Sequence, residues 1–285
     1  MFTIKDHFEY SEACFKREPA SQNQDLCICT DFSTLPTPYG KGTVRIVMDG
    51  MGQGDGKEAV EIAAQALLHH LTGQLALTSR SMADYLESSI LNSTDSEVIR
   101  DRLCQWIFGT IRSALVAAND IMCSSSFPRP YCTFSVAVIF YRYVFTANLG
   151  DSPIYLMNLS GSGSELIPLF ACHNVAGEMV ASGEISEEEA LHSPMASQLR
   201  LFLGHREYDL VCQCHYDWME LPQQSILLLG SDGALAQLTR QTMASIISAH
   251  RSEGLSAVFE ELQLQVEESG SVDDFTLVMD WIETD

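Results

Sequence analysis

Three apolar stretches of the sequence run into an aspartate that stands beside a glycine. They end at Asp49-Gly50, Gly150-Asp151 and Asp232-Gly233. Aspartates at strand ends lie on a rigid scaffold, and adjacent glycines let the backbone turn and a ligand approach closely. Asp25 precedes another predicted strand and Asp273 precedes the last one. A single Asp-Gly pair is more often ordinary turn chemistry, so the repetition is what favours a site.

If these five carboxylates converge, electrostatics requires a cation among them. Like carboxylates in a partly dry site raise one another's pKa and oppose folding. Two divalent ions would nearly neutralise the set, and all-oxygen ligands suit Mg²⁺ or Mn²⁺ better than zinc. Two such ions roughly 4 Å apart would activate a bridging water and orient a phosphoryl group for in-line displacement.

The sequence gives less support to two other kinds of site, a nucleotide-binding loop and a zinc site. The glycine-rich segment before Lys57 lies between a strand and a helix, as a nucleotide-binding loop would. It fails the P-loop pattern, because Met51 replaces the first glycine and Glu58 follows the lysine. Cys212, Cys214 and His215 could form a zinc site, although they lack the Cys-x-x-Cys pairs of common structural sites.

The elements that must position the aspartates follow from periodicity and turn residues. Predicted strands are 26–29, 44–48, two strands around a turn in 133–145, 154–158, 211–218, 225–229 and 275–282. Predicted helices are one through Ala59 and Leu71, then 81–91, 97–122, 174–182, 186–191, 239–250 and 255–266. This order lacks regular βαβ alternation, which favours an α+β layered domain with largely antiparallel sheets.

The composition limits the classes of function that the protein can have. The chain of 285 residues has 46% hydrophobic residues, enough for a substantial core, and a formal net charge of −22 from 38 acidic and 16 basic residues. That charge disfavours nucleic acid and anionic membrane surfaces as partners. We expect no secretory signal and no membrane span, and the nine cysteines predict reduced thiols in a cytoplasmic protein.

The motifs resemble those of the metal-dependent protein phosphatases (PPM, or protein phosphatase 2C), in particular the small bacterial members. Asn23-Gln24-Asp25, Val47-Met-Asp49-Gly50-Met51-Gly52, Tyr131-Cys-Thr133, Ala147-Asn-Leu-Gly-Asp151-Ser152, Leu229-Gly-Ser-Asp232-Gly233 and Ser271-Val-Asp273-Asp274-Phe-Thr276 look like family motifs in the family's order. The segment 173–204 is similar to the family's flap beside the active site. The resemblance covers nearly the whole chain, so one phosphatase domain over 1–285 is expected.

The resemblance implies a four-layer α-β-β-α sandwich of two antiparallel sheets flanked by helix pairs. It also implies two or three Mn²⁺ or Mg²⁺ ions. Asp49 would bridge two metals, and the carbonyl of Gly50 would bind one. Asp232 and Asp273 would hold one metal directly, Asp25 would act on the other partly through water, and Asp151 would join Asp232 at a weaker third ion. Asp49, Asp232 and Asp273 are the residues expected to carry catalysis.

The resemblance has departures. Ala20 stands where the family often has a phosphate-binding arginine, and Pro153 replaces the arginine after Asp-Ser. Gln53 replaces the second glycine of Met-Gly-Gly, and Asp274 replaces an asparagine and adds negative charge. Losing a fork-shaped phosphate contact should weaken substrate binding more than metal chemistry. His173, at the flap entrance, is a weaker candidate for touching substrate.

Three hypotheses follow. The first is a serine/threonine protein phosphatase acting by attack of a metal-bridging water or hydroxide, with a phosphorylated protein as substrate and a Ser/Thr kinase or its targets as partners. We expect it to work as a monomer. The second is a degenerate phosphatase that binds phosphoprotein or regulates without turnover. The third is a metal-stabilised structural protein, and all three predict stabilisation by divalent metal.

Overall fold

Two antiparallel sheets form the centre of the computed structural model, which describes residues 1–12, 23–32, 39–51, 56–126, 130–160, 165–206 and 209–284. Ala20 and Gln53 lie outside the described residues. The first sheet has the order β1 (Phe2–Glu12), β11 (Phe275–Thr284), β10 (Gln224–Gly230), β7 (Ile154–Asn158) and β8 (Leu166–Pro168). The second has the order β2 (Asp25–Phe32), β3 (Gly42–Met51), β5 (Phe134–Phe140), β6 (Tyr143–Leu149) and β9 (His215–Glu220), and β4 (Tyr131–Cys132) pairs with the end of β3.

An apolar layer holds the sheets face to face. Val47, Ala137 and Val144 of the second sheet are fully buried in the same cluster as Leu227 and Val278 of the first. Each side chain of this size that leaves water stabilises the fold by about 1.5–3 kcal/mol. Strands β3, β5, β6 and β10 are buried almost throughout, which is why the sequence shows them as continuous apolar runs.

Helices cover both outer faces. Over the second sheet, α1 (Gly56–Leu67) continues through a π turn (Leu68–Thr72) into α2 (Gly73–Leu91), and α3 (Ser96–Ser124) packs beside them. Over the first sheet lie α8 (Arg240–His250) and α9 (Leu255–Ser269), joined by a 3₁₀ turn (Arg251–Glu253). The predicted α+β sandwich, with sheets between helix pairs, is confirmed. None of the described helices is both long and apolar enough to cross a bilayer.

The remaining helices are short. They are α4 (Val175–Ser182) and α5 (Glu187–Leu191) in the flap, α6 (Leu210–Gln213) before β9, and α7 (Asp232–Leu235) after β10. Asn174 caps α4 by accepting the Gly177 amide at 2.7 Å, and Ser186 forms a capping box with Glu189 at α5.

Two sequence expectations need correction. The predicted strand 211–218 is wrong in its first half, because Asp209 accepts the Cys212 amide and starts the helical turn α6. Cys212 is therefore exposed while Cys214 is buried, so the two thiols do not lie together on one strand face. The long first strand, Phe2–Glu12, was not predicted. Among the described strands it pairs only with β11, and it leaves alternate residues exposed.

Candidate metal centre

The ends of strands from both sheets carry the predicted aspartates. Asp25 begins β2 and is the direct cross-strand partner of Asp49 on β3. Asp232 begins α7 directly after β10, and Asp273 precedes the neighbouring strand β11. Asp151 lies in the turn between β6 and β7. The charges of the other four predicted aspartates all act on the pKa of Asp49, so the structure brings the set together.

Burial raises the pKa of Asp25 and Asp232 far above the ordinary carboxyl range. Asp25 is 8% exposed, and its burial, with further contributions from the charges of Asp274 and Asp273, raises its pKa to about 7 even though hydrogen bonds from two hydroxyls oppose the shift. Burial, followed by the charges of Asp151 and Asp273, raises the pKa of Asp232 to about 8. At neutral pH these carboxyls hold their negative charge poorly without a cation.

Asp49 lies at the middle of the cluster. Its burial raises its pKa well above the usual value, and the charges of Asp25, Asp232, Asp273 and Asp151 raise it further in that order. Asp232 is the other member of the set that feels all four partners, through the charges of Asp151, Asp273 and Asp25 and a hydrogen bond with Asp49. Asp49 lies at the position that a ligand shared by two cations would occupy.

Two carboxylate oxygens in the cluster lack hydrogen-bond partners among the described residues. They are Oδ2 of Asp25 and Oδ1 of Asp232, and both are buried. An unsatisfied buried acceptor costs about 1–3 kcal/mol, and more when it is charged. The donor set is entirely oxygen, so the residues present fit hard divalent cations such as Mg²⁺ and Mn²⁺.

Thr133 links two of the aspartate-bearing segments. Its backbone N–H donates to the carbonyl of Asp49 at 2.8 Å, and its Oγ1 accepts the Asp49 N–H at 2.9 Å. The same Oγ1 bonds Oγ of Ser152 at 2.6 Å. The end of β3 is thereby tied to the turn that carries Asp151.

Asp274 organises the backbone beside Asp25. Its Oδ2 accepts the N–H of Gln24 at 2.9 Å, and its carbonyl accepts the Ser231 hydroxyl at 3.3 Å. Gln24 in turn accepts the N–H of Gly50 at 3.0 Å. The expectation that Asp274 adds negative charge to the cluster is confirmed by its effect on the pKa of Asp25. Its role as a backbone acceptor was not foreseen.

The flap contributes Asn174, which sequence reasoning noted only as a helix start. Its Nδ2 donates to Oδ2 of Asp151 at 2.9 Å, while its Oδ1 caps α4. Nδ1 of the neighbouring His173 accepts the N–H of Gly150 at 3.2 Å, and burial lowers the pKa of His173 to about 4. His173 is thus a neutral support of the Asp151 turn. An N-cap asparagine was the one local signal that could have marked Asn174.

Known proteins show the same architecture. No model of a known protein family matches the chain. The serine/threonine phosphatase stp of Listeria innocua is 25% identical over 210 residues, 71% of this chain and 77% of the relative. The serine/threonine phosphatase of S. agalactiae superposes with a TM-score of 0.70 at 19% identity, covering 100% of both chains. The catalytic domain of the phosphatase PstP in complex with two manganese ions has a TM-score of 0.66 at 16% identity, also over 100% of both. The chain shares the fold of these proteins.

Proposed function

We propose that this chain, a member of the bacterial metal-dependent protein phosphatase (PPM, or PP2C-type) family, hydrolyses phosphoserine and phosphothreonine in proteins with divalent metal ions. The single observation that carries the proposal is the convergence of five aspartates, two of which have a buried carboxylate oxygen without a hydrogen-bond partner among the described residues. This arrangement can hold cations beside a phosphoryl group, as metal-assisted hydrolysis requires.

The proposed ligands are the predicted residues. Asp49 would be shared by two ions, the carbonyl of Gly50 and the carboxylate of Asp25 would act on one of them, and Asp232 and Asp273 would hold the other. Asp151, with Asp232, would hold a weaker third. Mn²⁺ and Mg²⁺ are the proposed cofactors; when bound, such ions make a water nucleophilic near neutral pH and offset charge on the transferred phosphoryl group.

Residues outside the ligand set would hold this geometry. Thr133 bonds both the N–H and the carbonyl of Asp49 and so fixes the backbone from which its carboxylate projects. Asn174 donates to one oxygen of Asp151, which leaves the other oxygen as the proposed metal ligand. Thus the flap and the sheet ends orient the same group, which supports a preorganised site.

The biological setting is part of the proposal. A phosphorylated protein is the substrate class, and a serine/threonine kinase or that kinase's targets are the proposed partners. We propose that residues 1–285 act as one phosphatase domain, as a monomer and in the cytoplasm. The similar proteins named above support the substrate class, since they are serine/threonine phosphatases.

The direct test is release of phosphate from a phosphothreonine peptide with and without Mn²⁺. We expect metal-dependent turnover that falls by more than about a hundredfold in Asp49→Asn and Asp232→Asn. Asp84→Asn, which changes an exposed aspartate on α2, is the matched control and should keep full activity. Tight peptide binding without turnover in the wild type would instead favour the degenerate binding module.

A further inference from the structure

A second group of metal-binding side chains lies at the edge of the sandwich where β1 faces β2. His7, Glu9 and Cys29 each offer one ligand atom, and these atoms lie within 4.8 Å of one another. His7 and Glu9 are two apart on β1, so they share a face of that strand. Cys29 lies four residues along β2 from Asp25, about 13 Å away at the usual rise of a strand. The group is therefore separate from the aspartate cluster.

A bulge in β1 creates this arrangement. Phe2 and Ile4 pack in the layer between the sheets, whereas Phe8 and Tyr10 pack on the helix side of the first sheet. The register with β11 shifts between Ile4 and Asp6, and this shift reverses which residues face the second sheet. His7 and Glu9 consequently lie on the side of β1 that faces the second sheet, where both stay accessible to solvent.

The buried Asp280 orients His7 for metal binding. Its Oδ1 lies 2.7 Å from Nδ1 of His7, and its Oδ2 accepts from Nε of Arg45 at 2.8 Å. An ionised aspartate can only accept, so Nδ1 donates and Nε2 is the ring nitrogen left for a metal. The hydrogen bond to Asp280 also raises the pKa of His7, so an ion competes with a proton for Nε2. A carboxylate behind a histidine is the usual support of a zinc-binding imidazole.

The distances and charges agree with this assignment. Nε2 of His7 lies 3.7 Å from Oε2 of Glu9, and ligand atoms around tetrahedral zinc are separated by roughly 3.4 Å. Hydrogen bonds to Cys27 and Glu9, together with burial, raise the pKa of the Cys29 thiol, so a bound ion must displace its proton. A glutamate and a thiolate bring two negative charges, which one divalent ion balances, while Arg45 already balances Asp280.

We propose that His7, Glu9 and Cys29 bind a zinc-class divalent ion that joins the two sheets at this edge. A nitrogen, oxygen and sulfur donor set prefers Zn²⁺ or Co²⁺ to Mg²⁺, whereas the all-oxygen aspartate cluster prefers the harder ions. The site does not depend on phosphatase activity. Because it links β1 of one sheet to β2 of the other, its ion stabilises the folded state by mass action.

Cobalt is the probe that separates the two centres. Metal-free protein is first saturated with Mg²⁺, then titrated with Co²⁺ at mildly alkaline pH while absorption is recorded. We expect about one equivalent of Co²⁺ to give thiolate charge-transfer bands and tetrahedral visible bands, which Zn²⁺ then abolishes. Because this test measures absorption and not activity, it can fail while the phosphatase proposal holds, and the reverse is also true.

Variants then assign the ligands. Cys29→Ser should lose the thiolate bands, and His7→Gln should weaken Co²⁺ binding by more than about tenfold. Cys104→Ser, which removes another half-exposed thiol on α3, is the control and should behave as wild type. Zn²⁺ should raise the melting temperature of wild type but not of Cys29→Ser. Unchanged bands in Cys29→Ser, or none in the wild type, would overturn the proposal.

Discussion

Asp25 and Asp49 are direct partners across the antiparallel pair β2–β3. Residues opposite each other in such a pair project from the same face with Cβ atoms about 4.5–5.5 Å apart. Two carboxylates at this spacing repel each other, and the charge of Asp25 raises the pKa of Asp49. The pairing of β2 with β3 thus places two negative charges side by side, and the site needs a cation to balance them.

The first prediction concerns pH and metal. In the folded protein the pKa values of Asp25 and Asp232 are raised to about 7 and about 8, so both carboxyls bind a proton more tightly there than in the unfolded chain. The stability that this proton binding adds to the fold is fully present only below about pH 4. It is lost as pH rises through 7 and 8. Metal-free protein should therefore melt at a falling temperature between about pH 5.5 and 8.5, and Mn²⁺ should flatten this dependence.

Asp232→Asn provides the matching variant. Removing a carboxyl that resists ionisation should stabilise the metal-free protein at about pH 8 by on the order of 1–3 kcal/mol, less than the full shift because neighbouring carboxyls titrate together. The same variant should gain little from Mn²⁺. Calorimetry with chelator and with Mn²⁺ measures both effects, and a metal-free melt that rises with pH would contradict the expectation.

The second prediction concerns Gly50. A Cβ there would lie 2.1 Å from the carbonyl oxygen of Gly56 and 2.7 Å from that of Gln24, and both are backbone atoms with little room to move. Gly50→Ala should therefore abolish turnover and destabilise the fold by about 2 kcal/mol or more. Gly109→Ala is the control because nothing lies within 4 Å of its Cβ position in α3. That change should stabilise the protein by about 0.5–1 kcal/mol in urea unfolding.

The third prediction separates the two bonds made by Asn174. Asn174→Ser keeps an acceptor that can cap α4 but removes the donor to Asp151. The Mn²⁺ concentration for half-maximal activity should rise about tenfold, as expected when a metal ligand loses its supporting hydrogen bond. Ser186→Ala removes the cap of α5 instead and should leave that concentration unchanged. Equal effects of both variants would mean that flap stability alone is being measured.

The fourth prediction concerns the ion pair between the sheets. Arg45 of β3 and Asp280 of β11 are both buried and meet at 2.8 Å. Asp280→Asn should destabilise the protein by about 3–5 kcal/mol, because the buried guanidinium then keeps only the exposed Asp31 as a counter-charge. Combining Arg45→Met with Asp280→Leu should recover part of that loss, since both buried charges are removed and only Asp31 and His7, which are more exposed, lose these partners. Urea unfolding of the two variants measures both changes in the free energy of unfolding. A decrease of less than about 1 kcal/mol in Asp280→Asn would refute the prediction.

Local pattern predicted most elements but not those that depend on distant partners. The strand Ile154–Asn158 matches its predicted bounds, and β3 and β10 extend their predicted cores by one to three residues at each end. The strand Phe2–Glu12 escaped notice because it is a bulged edge strand whose apolar residues serve two different cores. At Cys212, one capping bond from Asp209 prevailed over β propensity.

The amino-acid sequence by itself determined which carboxylates end which strands, because an apolar run followed by Asp and Gly is a local signal. It also determined the acidic charge and the order of the motifs. Only the tertiary structure decided that Asp25 and Asp232 lie together, that Asp274 accepts from Gln24, and that His7 lies beside Cys29. The partners in these contacts are separated by 22 to more than 200 residues. Strand register and the packing of two sheets bring them together, and neither leaves a periodic trace in the chain.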